Sequence, residues 1–242
     1  MAETEEGKRS IMGIGAHPDD LEISCGGTLA AYAGHGHRVT MCHVCRGDKG
    51  HFRLPPGELR QVRCAEAGAA ARLIGAGVVM LDVPDGEAGS DWAGQRLRVV
   101  EAIREAKPDL IITHAPEDYH PDHVAVQRMV VEAAFLATVP YVSPCREAIG
   151  RVPEIRLMDT YAGVNFVPTE YVDITATLAV KQAMMESYRS QVDWLKEHDG
   201  LDILEFIAVG ARYRGFQGGC RYAEGFRKHV AGLFIRSAPI LT

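Results

Sequence analysis

The sequence predicts an α/β fold: one domain with a mostly parallel sheet and helices on both of its faces. Three observations predict it. Short Val/Ile-rich runs alternate with helix-like segments through the first 140 residues, the pattern of a parallel sheet buried on both sides. No internal repeat, low-complexity stretch or long Pro/Gly linker divides the chain. A length of 242 residues with 47% hydrophobic content is enough for one sizeable core.

The elements follow in order. Strands are expected at 11–16 (IMGIGA), 38–45 (RVTMCHVC), 78–82 (VVMLD) and 109–114 (DLIITH). Helices are expected at about 26–34, 58–75, 92–106 and 122–137. Asp91 can cap the helix that opens at Trp92, and Gly75 and Gly77 close the alanine-rich helix before them. Lys107-Pro108 stops the next helix ahead of strand 109–114. Beyond residue 140 the pattern predicts strands at 154–163 and 170–175 and helices at 176–189 and 199–214. These complete the same domain, a motif-bearing core over about 10–140 and a completion over about 141–235, within a single unit of 1–242.

Composition narrows the function classes. The formal net charge is −6 and the basic residues are scattered, so there is no basic face for nucleic acid. No apolar run approaches the roughly 18 residues of a membrane span. The opening MAETEEGKRS is polar and acidic, unlike a signal peptide, which points to the cytoplasm. The six cysteines (25, 42, 45, 64, 145, 220) are expected to be free thiols there. Cys42 and Cys45 form a C-x-x-C on a strand, where residues three apart point to opposite faces; one is expected in the core and one at the surface.

The chemistry is expected directly after the strands, because open α/β sheets bind ligands beyond their carboxyl ends, where the strand order switches. The first such stretch is IMGIGAHPDDLEISCGGTLA, residues 11–30. Two adjacent carboxylates beside a histidine repel each other unless something positive lies between them, and a metal ion meets that need. Pro18 biases His17 away from the helical region and helps aim His17 and Asp20 outward. Asp19 between them is placed as a base for a metal-activated water. The competing structural reading makes Asp19 or Asp20 a helix N-cap. Gly13-x-Gly15 lacks the third glycine of a dinucleotide loop, and HPDD would confront a pyrophosphate with like charge.

The second stretch, ITHAPEDYHPDHVAVQRMV, repeats the design with His120, Pro121, Asp122 and His123. Pro121 suits the first position of a helix. His17, Asp20 and His123 then make three protein ligands and leave a fourth position to water, as in catalytic zinc sites. His120, outside the helix start, can lean over the open position, and Asp122 can orient an imidazole. Two histidines and a carboxylate also describe an iron(II) oxygenase triad, and a non-catalytic zinc- or sugar-binding protein is a further alternative.

AHPDD followed by the GGTLA helix, then HPDH, then YAEGF at 222–226, resembles the LmbE/PIG-L family of zinc-dependent N-acetylglucosaminyl deacetylases over roughly residues 10–230. HPDDLE and EDYHPDH are closest to its bacillithiol-biosynthesis members. The resemblance implies a Rossmann-like fold and a Zn2+ site (Fe2+ or another divalent ion as alternatives) on His17, Asp20 and His123. It makes Asp19 the general base and protonated His120, with Asp122 as its orienting partner, the oxyanion stabiliser. Arg63 is implied as a substrate-contacting arginine and Asp85 as a sugar-hydroxyl acceptor. The implied substrate is a small N-acetylated sugar, and the implied assembly a homo-oligomer, trimer or hexamer. Asp118 stands where many relatives carry tyrosine, and Asp48 where several carry glutamate.

Overall fold

Seven strands make one sheet because each of the first four is a short apolar run with helices to cover both sides. In the computed structural model, which describes residues 7–230, these are β1 (Ser10–Gly15), β2 (Arg38–Cys45), β3 (Gly77–Val83) and β4 (Leu110–Thr113). They alternate with α1 (Asp20–Gly34), α2 (Pro56–Arg72), α3 (Trp92–Ala106) and α4 (Pro121–Leu136). Then come β5 (Glu154–Met158), β6 (Glu170–Asp173), α5 (Leu178–Glu186), α6 (Arg189–Asp199), α7 (Ile203–Gly218) and β7 (Ala223–Lys228). The first six residues of the polar N-terminal stretch, and the ends of the expected 1–242 unit and of its 141–235 completion, lie outside the described residues.

The strand order is β3-β2-β1-β4-β5-β7-β6. β3 to β5 in that order run parallel, and β7 runs antiparallel to both β5 and β6. The chain winds outward from β1 through β2 to β3, then returns to lay β4 against the other edge of β1. The switch point is therefore between β1 and β4, the two strands that carry the histidine motifs. Met12 and Ile14 of β1 join the apolar side chains of α3 and α4 on one face. Ile11, on the other, packs with α1, α2, α5 and α7. The mostly parallel α/β sandwich is as expected. Among the described residues no helix is long and apolar enough to cross a membrane.

Local signals hold where they rest on backbone chemistry. The Asp91 carboxylate accepts from Gly94 N–H at 3.1 Å and starts α3. Lys107, at φ 45°, ends α3 in the left-handed conformation. Gly77, by contrast, opens β3 rather than closing α2. α1 begins six residues ahead of the expected start, because every residue from Asp20 to Ala30 is buried and no amphipathic stripe betrays the helix. The expected strand 154–163 stops at Met158, and the expected helix 176–189 breaks at Tyr188 before α6. The thiol reading needs correction: Cys42 and Cys45 are both fully buried in one core cluster, since β2 is covered on both faces from Met41 to Cys45 and the register shifts between His43 and Cys45.

YAEGF acquires a structural role. Glu224 of β7 is buried and accepts from the α1 N–H groups of Gly27 (2.9 Å) and Thr28 (2.7 Å), while pairing with the buried ammonium of Lys181 on α5. Gly27 also lets Ile174 pack closely on α1: a Cβ there would lie 2.9 Å from the Ile174 side chain. Glu224→Ala would strand the Lys181 charge and two helix donors, so unfolding in urea is expected to show a loss of about 3–5 kcal/mol. A second tie, from Asp109 Oδ2 to the N–H of Ser10 at 2.9 Å, staples β1 to the entry of β4. That backbone hydrogen bond, with Arg151 adding, holds the Asp109 carboxyl below its ordinary value. A depressed acid stabilises above its unfolded pKa and loses that contribution on acidification. Asp109→Asn should fall below the parent near pH 6, and the gap should narrow as the pH drops below the ordinary carboxylate range.

Candidate active site

β1 ends at Gly15, and five residues later the chain is already helical. The turn passes through Asp19 at φ 117°, left-handed backbone that a non-glycine residue rarely adopts. The Asp19 side chain does not cap α1. Its Oδ1 lies 3.0 Å from Arg63 Nη2, and Arg63 also donates to the Pro18 carbonyl. The N-cap reading of Asp19 therefore gives way: its carboxylate is turned away from the helix and lines a cleft.

Asp20 is the hub. Its Oδ1 accepts from Tyr161 OH at 2.8 Å and lies 3.2 Å from His123 Nε2. Its Oδ2 accepts from His17 N–H at 2.6 Å and lies 3.3 Å from His114 Nε2 and 3.5 Å from His17 Nδ1. His17 Nε2 meets Asp122 Oδ2 at 3.0 Å. His123 Nδ1 sits 3.0 Å from Asp118 Oδ2, off the line of a good hydrogen bond. Ligating atoms converge in three sets, His17–Cys45–Asp85 and two that share His123, His17–His120–His123 and Asp20–His114–His123, each within 4.8 Å. Together they contain His17, Asp20 and His123, the trio expected from sequence, joined pairwise through Asp20.

These contacts fix the electrostatics. Burial opposes ionisation of Asp20, but the charge of His123 and hydrogen bonds from His123 and His17 hold it well below the carboxylate range. Burial also opposes charge on His17, yet the hydrogen bonds to Asp122 and Asp20 prevail and raise it to about 10. Burial lifts Asp19 to about 6 against the pull of Arg63. His120 goes the other way: burial, then the charges of His17 and His123, lower it.

Three assignments change. Asp122 does not orient His120 with its carboxylate, which is engaged by His17 and by the N–H groups of Gly86 (2.7 Å) and Ala88 (3.2 Å). Only its backbone reaches His120: Asp122 N–H donates to His120 Nδ1 at 3.2 Å, making His120 the N-cap of α4. With its pKa lowered and Nδ1 accepting, His120 is neutral, not protonated as the sequence implied. Arg63 lines the cleft but is 3% exposed and paired with Asp19, so it supports the carboxylate in place of a substrate contact. Gly47 permits this. Its φ is 70°, and a Cβ there would fall 2.7 Å from Arg63 Cδ. Asp85 stays at the cleft rim, where its oxygens accept from the N–H groups of Gly47 (2.8 Å) and Lys49 (3.1 Å) and keep lone pairs for a further donor.

Sequence reasoning misses His114, Tyr161 and the part played by Asp118. His114 closes the expected strand 109–114, the very position where function is anticipated, but its partner Ala16 N–H (2.9 Å) and its ring stacking on His123 are long-range. Tyr161 lies in a short helical turn after β5 with no motif around it. The site opens into a cleft of about 730 Å³ that reaches from the histidines to α6 and α7.

Comparison with known proteins places this geometry. The family described as PIG-L, GlcNAc-PI de-N-acetylase, matches residues 12–134. A 1D-myo-inositol 2-acetamido-2-deoxy-alpha-D-glucopyranoside deacetylase of Streptomyces griseus is 31% identical over 60% of this chain and 54% of its own length; the match thus spans about half of that relative. The structure of an N,N'-diacetylchitobiose deacetylase from Pyrococcus horikoshii superposes with a TM-score of 0.79 at 25% identity, over 93% of this chain and 85% of that one. A 4-carboxy-2-hydroxymuconate hydratase from Pseudomonas putida KT2440 shares the fold, with a TM-score of 0.78 at 23% identity over 95% and 100% of the two chains.

Proposed function

The chain belongs to the PIG-L, GlcNAc-PI de-N-acetylase family, and from that premise we propose that it hydrolyses the acetamide of an N-acetylglucosamine-type sugar or conjugate to acetate and the free amine. The observation that carries this reading is Asp19, a buried carboxylate on strained backbone, steadied by Arg63 beside the histidine cluster and lining the cleft.

Family members depend on a metal, and the donors fit one. His17, Asp20 and His123 would hold it, with Asp122 and Asp118 on the outer nitrogens of the two imidazoles. Two histidines and a carboxylate suit Zn2+, and also Fe2+ or other divalent ions. When bound, such an ion lowers the pKa of water and polarises a carbonyl.

The remaining steps belong to the chain. Arg63 occupies Oδ1 of Asp19, so Oδ2 takes the proton from the attacking water. His120 accepts a backbone N–H at Nδ1, which leaves its proton on Nε2 to meet the carbonyl oxygen as negative charge develops there. As the C–N bond breaks, Asp19 delivers its proton to the departing nitrogen. His120→Ala is expected to slow turnover by about 100- to 1000-fold, read as acetate release under saturating substrate.

The test is a panel of N-acetylated sugars assayed anaerobically for acetate and free amine, with and without chelator. Chelator-sensitive acetate release supports the reading. Oxygen uptake in place of acetate, or addition of water to an unsaturated acid without amide cleavage, overturns it. Zinc, cytoplasmic residence and a homo-oligomer complete the proposal. Free thiols at all six cysteines suit the second. The stripe of Val209, Tyr213 and Phe216 exposed along α7 suits the third.

A further inference from the structure

We infer that the group attached to the substrate's sugar is uncharged and presents an apolar face, which rests against the wall that α6 and α7 give to the cleft. The inference deepens the deacetylase reading and rests on it. The cleft holds about 730 Å³, well above the roughly 300 Å³ at which small-molecule pockets begin, so space remains beyond one sugar ring at the histidines. Trp194, Leu195, Leu201, Ile203 and Phe206 line that remainder.

The wall is built in advance. Trp194 stacks on His198 with ring centroids 4.5 Å apart and an interplanar angle of 14°, and Phe52 closes on it at 4.1 Å. Gln191 Nε2 donates to the Gly50 carbonyl at 3.1 Å, and Arg53 pairs with Glu197 at 3.0 Å, tying the loop that carries Phe52 to α6. An apolar surface fixed before binding costs little ordering when a ligand arrives.

Charge decides which ligand. Two Lys or Arg residues are among the described residues lining the cleft, and both have partners. Arg63 is 3% exposed and directs Nη2 to Asp19 and the Pro18 carbonyl. Lys49 Nζ donates to Glu87 at 3.0 Å and to the Asp85 carbonyl at 2.6 Å. Asp85 and Asp199 add carboxylates to the same lining. A phosphate or carboxylate on the sugar would face these acids without a dedicated cation, a repulsive arrangement that selects against it. A neutral glycoside with an aryl, alkyl or C–H-rich face meets apolar atoms there instead.

Three substrates test this: N-acetylglucosamine, its phenyl glycoside in both anomers, and its 1-phosphate, compared by kcat/KM for acetate release. Calorimetric Kd values for the corresponding amines read the wall independently of turnover. One phenyl anomer is expected to exceed the plain sugar by about tenfold or more, a step of about 1.4 kcal/mol, with the phosphate no better than the plain sugar. In Trp194→Ala and Leu201→Asn the phenyl-to-plain ratio should collapse toward unity. A best-accepted phosphate whose advantage disappears in Lys49→Ala overturns the inference, as does a phenyl preference unchanged in both wall variants. Acetate from all three at equal efficiency sinks the inference alone. Acetate from none, with the ranking of Kd values intact and lost in the variants, supports the wall and sinks the deacetylase reading.

Discussion

His123→Ala loses metal and acetate release together. His123 shares Asp20 with His17, and its ring lies within ligating reach of His17, His114 and His120. Removing it leaves two of the three protein ligands that a catalytic zinc site uses. The fold should survive, because the two apolar cores that carry stability contain none of the site histidines. The measurement is metal content by elemental analysis alongside acetate release and far-ultraviolet circular dichroism. Full metal occupancy in the folded variant would break the ligand assignment. The parent stripped by chelator should behave like the variant and, unlike it, recover on addition of Zn2+.

Asp19→Asn separates chemistry from binding. Asparagine keeps the shape and can still receive the Arg63 hydrogen bond through its oxygen, but it cannot take a proton. General-base groups contribute typically 10²–10⁴-fold, so kcat should fall by about that factor while the metal stays bound. KM should move little, since the acetamide is held elsewhere. A variant that turns over within about threefold of the parent would exclude Asp19 as the base.

How much of this is legible in the sequence depends on the range of the interaction. Strands 11–16, 38–45, 78–82 and 109–114 coincide with β1–β4 to within a residue or two, because burial on both faces writes itself as short Val/Ile-rich runs. The residues of both HPD turns gather at one place for a topological reason, the adjacency of β1 and β4. β7 escapes notice because AEGFRK carries a buried glutamate whose partners, Gly27, Thr28 and Lys181, are far away in the chain. Proton placement is equally opaque. HPDH spells three polar residues around a proline, but only the fold shows that the Asp122 carboxylate serves His17, and that the helix start captures His120 through a backbone N–H. Arg63 illustrates the same point, since its partner Asp19 lies on a separate turn.

Chemistry and selectivity come from different stretches of chain. The proton-handling and ligating groups lie within 17–20 and 114–123, on turns clamped between buried strands, whereas the outer wall of the cleft lies within 194–206. On the reading proposed above the two can drift independently over generations: exchange of Trp194 or Leu201 would redirect which molecule is admitted, without retuning the acid–base apparatus. Randomising only those positions would be a compact route to retargeted amide hydrolysis on an unaltered reaction centre.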